Sequence, residues 1–94
     1  MPMPSCPEVR RYILTDHARW EMARRDITEI EVMEVLTAPE QCTEVRPGRW
    51  AYQSRRYLGA PPRQYLLRVF VDIDRETVEV VTVYRTSKVG KYWR

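Results

Sequence analysis

Several residue types are scarce in this 94-residue chain, and each scarcity argues against a class of site. The three glycines are isolated, so no glycine-rich loop that could cradle a phosphate is present. The two cysteines, Cys6 and Cys42, have no CxxC motif or cysteine–histidine cluster near them, and His17 is the single histidine. We therefore expect no metal site and no cofactor, since a domain this small has room for one modest core and one surface site.

Long apolar runs are also missing, and cysteine usage is low. No apolar stretch reaches the length of a membrane span, and we expect no signal peptide before the domain. Residues 1–9 are rich in proline and are predicted to be a flexible segment, so a disulfide between Cys6 and Cys42 is not expected. These features predict a cytoplasmic protein with no membrane partner.

The charge of the chain is unevenly distributed. Residues 1–40 carry 5 basic and 8 acidic side chains, whereas residues 41–94 carry 11 basic and 5 acidic ones. No acidic residue follows Glu79, and the closing segment VEVVTVYRTSKVGKYWR combines cations with aromatic rings. Phosphates require cations and unpaired bases require flat rings, so this half favours RNA, or an acidic protein, as its partner.

Apolar periodicity divides residues 10–94 into one strand, two helices, four further strands and a short tail. The helices are predicted over 16–25 and from a capping box of Thr28 and Glu31 to a stop at Pro39. The strands are predicted over 10–14, 43–46, 50–58, 65–73 and 77–85. This order predicts a single α+β domain over 10–94, in which two helices pack on a mostly antiparallel sheet of four to five strands.

Strict alternation predicts the two faces of the central strands. Leu67, Val69 and Val71 share one face of the penultimate strand. The last strand alternates between a face with Val78, Val80, Thr82 and Tyr84 and a face with Val81 and Val83. Both strands are more apolar than alternation requires, so helices should cover one face and the other should be partly shielded.

Three stretches together resemble a known group of small domains. They are HARWEMARRDIT (His17–Thr28), the capped second helix, and the closing VVTVYRTSKVGKYW. In this order they resemble the RelE/ParE toxin superfamily, in particular its BrnT-like and related members of unknown function. The usual opening there is His-Ala-x-x-Arg-Met-x-x-Arg-x-Ile, and the matching residues are His17, Ala18, Met22, Arg25 and Ile27. Glu21 stands in place of the expected arginine, and Asp26 in place of the usual glycine.

The resemblance implies a small sheet backed by two helices, and an activity that cleaves RNA, often mRNA on the ribosome, under control of an antitoxin. Cleavage by 2′-hydroxyl attack needs a base, cations at the phosphorane and an acid. His17 is the candidate base, because its ordinary pKa lies near neutrality. Arg85, at the end of the last strand, resembles the superfamily's strand-borne catalytic arginine, and Lys88 is the candidate for a further catalytic cation.

A wider set of cations and rings is predicted to bind nucleic acid: Arg25, Arg55, Lys91, Tyr92 and Trp93. Simpler roles compete with these. The rings could cover an edge of the core, His17 could bond a strand backbone group, and Arg85 could pair with a helix carboxylate such as Glu21 or Glu34.

The sequence thus predicts a toxin-type endoribonuclease whose partners are RNA or the ribosome and an acidic antitoxin-like protein. The alternative is a non-catalytic module that docks RNA or an acidic partner protein through its basic C-terminal sheet face. The absence of a second side chain with a near-neutral pKa counts against a nuclease that works alone.

Overall fold

The fold is α+β, with helices packed on a mixed five-stranded sheet, as the sequence predicts. The computed structural model describes residues 6–94. The elements are β1 (Tyr12–Leu14), α1 (Asp16–Arg25), α2 (Glu29–Thr37), β2 (Gln41–Arg46), β3 (Arg49–Leu58), β4 (Arg63–Asp72), β5 (Val78–Thr86) and α3 (Val89–Tyr92). The short helix α3 lies in what the sequence indicates to be a plain tail.

Side chains that the sequence indicates cap the N-terminal ends of both long helices. The Thr15 hydroxyl accepts a hydrogen bond from the Ala18 N–H and so caps α1. Thr28 and Glu31 form the predicted reciprocal capping box at the start of α2. Asp26 adopts a left-handed conformation with φ 54° and ends α1.

The strands are ordered β1-β5-β4-β3-β2. The three longest, β3, β4 and β5, form an antiparallel meander. The sheet is completed by β1, which pairs in parallel with the first half of β5, and by β2, which pairs with β3 across the Pro47-Gly48 turn. Gly48 has φ 84°, and a Cβ there would meet the Asp74 carboxylate at 2.5 Å, so this turn requires glycine.

The main core lies between the sheet and the two long helices. Ala18 and Met22 of α1 are buried. Val32, Val35 and Leu36 make the buried face of α2. From the sheet, the buried core residues are Leu14, Tyr52, Leu67, Val69, Val71, Val80 and Val83. We call the sheet face that contributes these residues the helix face.

The prediction of strict alternation along β5 is wrong. The register shifts between Phe70 and Val71 of β4, because Val71 pairs with Val80 whereas Phe70 pairs with Thr82. Val81 is therefore an extra residue, as in a β-bulge. The bulge places both Val80 and Val83 in the core, where each is fully buried.

The N-terminal segment also differs from expectation. Cys6 and Cys42 form a disulfide, so the prediction of two unpaired thiols is wrong. Val9 is buried in the core, and the Tyr52 hydroxyl donates a hydrogen bond to the Pro7 carbonyl. Residues 6–9 are thus attached to the domain by a covalent and a polar contact, and the rest of the predicted flexible segment, 1–5, lies outside the described residues. The prediction of a cytoplasmic address relied partly on reduced cysteines, and it stays a prediction.

Over residues 6–94, no helix is both long enough and apolar enough to span a membrane.

Candidate nucleic-acid interface

The second face of the sheet, which we call the open face, points away from α1 and α2. Its residues follow from the register, since side chains of directly paired residues lie on the same side of a sheet. The central ones are Gln53, Arg55, Leu66, Arg68, Phe70, Thr82 and Tyr84. Where the helix face is aliphatic, this face combines arginine, amide and aromatic side chains.

A row of four polar side chains crosses the open face from edge to edge. Gln41, Gln53, Arg68 and Tyr84 are paired in direct register on β2, β3, β4 and β5. Gln53 Nε2 donates to Gln41 Oε1 at 2.8 Å, and Arg68 Nε donates to Gln53 Oε1 at 2.9 Å. Arg68 Nη1 donates to the Tyr84 hydroxyl at 2.6 Å. The row holds the Arg68 guanidinium in one orientation at the centre of the face.

The C-terminal residues 89–94, which we call the C-terminal cap, lie on this row. Gln53 Nε2 donates to the Tyr92 carbonyl at 3.1 Å. Gln41 Nε2 donates to the Arg94 carbonyl at 2.6 Å, and Gln41 Oε1 accepts from the Arg94 N–H at 3.2 Å. The open face is therefore partly shielded, as predicted, and the cap adds its own rings and cations to it.

Arginines and rings interleave on this surface. The Arg68 guanidinium carbon lies 4.4 Å from the centre of the Tyr92 ring and 5.1 Å from that of Phe70. Phe70 stacks on Tyr84 at 5.9 Å, and Tyr84 meets Tyr92 edge-on at 6.3 Å. Such spacings are those of cation–π and aromatic pairs. We call Arg68, Phe70, Tyr84 and Tyr92 the Arg68 cluster.

The two tyrosines of this cluster differ in acidity. Burial raises the pKa of the Tyr84 hydroxyl above its ordinary value. The pKa of Tyr92 is lowered, first by a hydrogen bond from Tyr84, with Lys91 and Arg68 adding to the effect as nearby cations.

The cations of this region fall into two groups. Arg25 is paired with Glu21 at 2.6 Å, and Arg55 with Glu40 at 3.0 Å. Within residues 6–94, no carboxylate lies within 4.0 Å of the remaining cations, which are Arg68, Lys88, Lys91 and Arg94. Arg68 stands out among these because it is half-buried and its hydrogen-bond partners are neutral.

A comparison with protein families gives one match, to a family described as a domain of unknown function (DUF4258), over residues 14–85. The chain belongs to this family. Comparisons with curated proteins and with solved structures gave no significant match. The matched range contains the cross-sheet row, whereas the C-terminal cap lies beyond it. The family description states no activity, so the resemblance to the RelE/ParE superfamily is an inference from residues alone.

The structure does not bring the three predicted catalytic residues together. His17 is exposed on the first turn of α1, where its ring lies 6.1 Å from the Trp20 ring. Over residues 6–94, no hydrogen bond from the His17 side chain to a strand backbone is present. Arg85 contacts the opposite end of α1, about 12 Å away along the helix axis. Lys88 is exposed just after β5.

Arg85 lies on the helix face, because it pairs with Leu67. Its guanidinium donates to the backbone carbonyls of Arg25 and Asp26 at the end of α1. This is a helix C-terminal contact, in which a cation meets the negative end of the dipole. The competing role for Arg85, a pair with a helix carboxylate such as Glu21 or Glu34, is not seen within residues 6–94, and Glu21 binds Arg24 and Arg25 instead.

The predicted binding residues lie around the open face. Lys91 is exposed, with Nζ 5.3 Å from the Tyr92 ring, and the Arg55 guanidinium stacks 4.1 Å from the Trp93 ring. Arg25 reaches the same face around the edge of β5, 5.9 Å from the Tyr84 ring. These rings contact cations of the open face and lie outside the main core.

The most central residues of the interface, Arg68, Gln53 and Gln41, were missed by sequence reasoning. Arg68 stands alone in the apolar run YLLRVFV, where a charge on a central strand is unusual. That isolated arginine was a usable signal. The two glutamines carry no comparable signal, because their roles arise only from the register. No group of three or more potential metal-binding side chains occurs within residues 6–94.

Proposed function

We propose that this protein binds single-stranded RNA on the open face of its sheet, between β4, β5 and the C-terminal cap. The observation that carries this proposal is Arg68. It is a half-buried cation in contact with three rings, and among the described residues it has no carboxylate partner. A phosphate would supply the missing anion.

The surroundings of Arg68 match the other half of a nucleotide. Tyr84, Tyr92 and Phe70 present ring surfaces or edges next to the guanidinium, and Trp93 adds a ring one strand away. Unpaired bases stack on such rings, with about 1–3 kcal/mol per base at favourable sites. Lys88, Lys91 and Arg94 extend the positive charge along the cap for further phosphates.

An acidic partner protein, the other candidate, would use the same cations without needing the rings. The density of aromatic side chains around Arg68 therefore favours RNA. The resemblance to the RelE/ParE superfamily points toward the same ligand, either free or within the ribosome.

The test is a fluorescence anisotropy titration of a labelled single-stranded RNA at several salt concentrations. Arg68→Gln keeps a hydrogen-bond donor for Gln53 but removes the charge, and it should weaken binding at least tenfold. Tyr92→Leu should weaken binding through lost stacking. Arg19→Gln, an exposed arginine on α1, is the matched control and should bind as the wild type does.

Two outcomes would count against RNA binding. Affinity that does not change with salt is incompatible with phosphate contacts, because each neutralised phosphate releases counterions. Equal competition by polyglutamate and by RNA would assign the surface to an acidic protein partner, such as an antitoxin-like protein.

A second candidate, RNA cleavage by a toxin-type enzyme, is favoured by one observation. The pKa of Tyr92 is lowered, and its ring centre lies 4.4 Å from the Arg68 guanidinium carbon and 5.3 Å from Lys91 Nζ, so a proton-transfer group and two cations occur together. Tyr92→Phe removes only this hydroxyl and keeps the ring. If the protein cleaves RNA through Tyr92, this variant should bind RNA normally but lose cleavage. Expression of the wild type in a bacterial host should then halt growth and degrade cellular RNA, whereas expression of Tyr92→Phe should do neither. His17→Ala tests the other candidate base in the same assays.

A further inference from the structure

A second basic cleft lies on the opposite side of the sheet, at the turn between β3 and β4. It has a volume of about 510 Å³ and is formed by residues 58–61, Arg63, Tyr65 and Arg85. We call it the hairpin-end cleft. By register, Tyr65, Arg63 and Arg85 belong to the helix face, beyond the part that the two long helices cover.

The cleft region carries positive charge without matching negative charge. Arg63 and Arg85 line it, and Arg56 is directly paired with Tyr65 on the same face. Within residues 6–94, none of these three arginines has a carboxylate within 4.0 Å. Arg56 Nε is buried and lacks a hydrogen-bond acceptor among the described residues. Arg56 does not line the cleft, so a phosphate bound there would be attracted by its charge without contacting this buried nitrogen.

Arg85 is fixed in place for such a ligand. Its hydrogen bonds to the Arg25 and Asp26 carbonyls hold the guanidinium at the end of α1. A guanidinium has more N–H groups than these contacts use, so donors remain for an anion in the cleft. A planar fork that is already oriented suits the tetrahedral oxygens of a phosphate.

The cleft and the open face meet at the end of β5. Thr86, the last residue of this strand, points to the open face because it pairs with Leu66, whereas the preceding Arg85 points to the helix face. Lys88 lies two residues further along the chain and is exposed. A strand of RNA that leaves the open face past the end of β5 therefore reaches the cleft with cations along the way.

We propose that the hairpin-end cleft binds a phosphate group of the same RNA strand that occupies the open face. This extends the proposed function and rests on it. Arg63 and Arg85 contact the phosphate, and Arg56 supports its charge from the adjacent pair.

RNAs of two lengths, about four and about twelve nucleotides, distinguish binding at the cleft from binding at the open face, because only the longer one should reach the cleft. Arg63 is exposed, so Arg63→Gln should leave the fold unchanged. We expect this variant to bind the longer RNA about fivefold more weakly, the upper range for an exposed ion pair, and to show a slope against salt reduced by about 0.7. Binding of the shorter RNA should not change. The control variant Arg19→Gln should alter neither affinity.

The outcomes distinguish the two proposals. If Arg63→Gln binds both lengths as the wild type does, the open face remains an RNA site but the cleft proposal is overturned. A 5′-phosphate on the shorter RNA tests whether the cleft binds a terminal phosphate. If the added phosphate raises the affinity of the wild type but not that of Arg63→Gln, the cleft binds the terminal phosphate.

If the wild type binds neither RNA, the proposed function fails. Binding of pyrophosphate then tests whether the cleft is a phosphate site by itself. Saturable shifts of the Tyr65 and Arg85 amide signals in NMR spectra, absent in Arg63→Gln, would show a phosphate site. Unshifted signals would overturn it.

Discussion

Arg68 and Arg85 stand in almost the same place on the sheet but have different surroundings. Arg68 is on β4 and Arg85 is on β5, one residue pair apart in the register. Arg85 faces the helices and donates to backbone carbonyls at the end of α1. Arg68 faces away from them and contacts rings, an amide and a phenol. A single step along a strand reverses the face, and with it the function open to an arginine.

This comparison divides the sheet into a structural face and a face that we propose recognises RNA. On the helix face, Arg85 donates hydrogen bonds to the C-terminal end of α1, and the adjacent core is mostly aliphatic. On the open face, arginine and rings remain half-buried, where a ligand can reach them. Variants in the part of the helix face that the helices cover should therefore lower stability, whereas variants on the open face should lower affinity for a short RNA.

The largest effect is expected for Leu67, which points into the core next to α1 and α2. Leu67→Ala should lower the free energy of unfolding by about 2–5 kcal/mol, because it leaves a cavity in a packed core. Leu66 is equally buried but lies on the open face and outside the main core. Leu66→Ala should cost less, because the cap can move to fill the space. Urea denaturation of both variants measures the difference. Equal losses would show that the cap is as firmly packed as the helices.

A slightly smaller effect is expected for the disulfide, which lies on the structural side. Cys42 pairs with the core residue Tyr52, so the bond ties Cys6 to the helix face. The double variant Cys6→Ser/Cys42→Ser should lose about 2–4 kcal/mol, since an unfolded chain without the link gains conformational entropy. Thermal unfolding measures this loss. RNA affinity of the folded protein should not change. An unaltered melting temperature would contradict the prediction.

The two arginines give the most direct test of the comparison. Arg85→Gln should cost about 1–2 kcal/mol of stability through the lost contacts at the end of α1. Arg68→Gln should change stability by less than this while reducing affinity for a short RNA at least tenfold. Unfolding curves and anisotropy titrations on both variants give the two values. If Arg85→Gln abolishes binding of the short RNA and Arg68→Gln does not, the recognition site lies on the helix face.

The fold was largely predictable because its signals are local. Thr15, the Thr28–Glu31 box and the Pro47-Gly48 turn each act within a few residues, and the periods of the helices and of β4 are visible in the sequence. The bulge at Val81 was not, because an inserted residue becomes visible only against the partner strand. The disulfide was missed for a similar reason, since Cys6 and Cys42 are 36 residues apart in the chain.

The site was less predictable than the fold. The sequence indicated that the basic half and its C-terminal rings form one surface, and Tyr92 and Trp93 do lie over arginines. Alternation separates the two faces of each strand, but it could not show which face the helices cover, and so it could not assign different surroundings to Arg68 and Arg85. Nor could the sequence show that a helix length separates His17 from Arg85, since His17 was assigned from its residue type and Arg85 from the resemblance.

The smallest effect concerns an acidic residue at the far end of the open face. Asp72 pairs with Arg49 at 2.7 Å, and this hydrogen bond holds the pKa of the Asp72 carboxyl below its ordinary value. Because the pKa of Asp72 is lower in the folded state, the pair with Arg49 stabilises the protein. The stabilisation is complete above about pH 4, where the Asp72 carboxyl is ionised in the unfolded chain as well. The stabilisation is lost as the pH falls through the lowered pKa.

Asp72→Asn should therefore be less stable than the wild type by about 1 kcal/mol near neutral pH, and the difference should shrink toward zero in acid. Urea midpoints of both proteins at several pH values measure it. Glu21 and Glu40 also have lowered pKa values, because Arg25 and Arg55 donate hydrogen bonds to them. The wild type and Asp72→Asn therefore lose the same amount of stability from these two residues in acid. Only the difference between the proteins reports on Asp72. A difference that stays constant from neutral to strongly acidic pH would mean that Asp72 acts through packing. The open face would then be stabilised at this end as the helix face is, by the fit of its side chains.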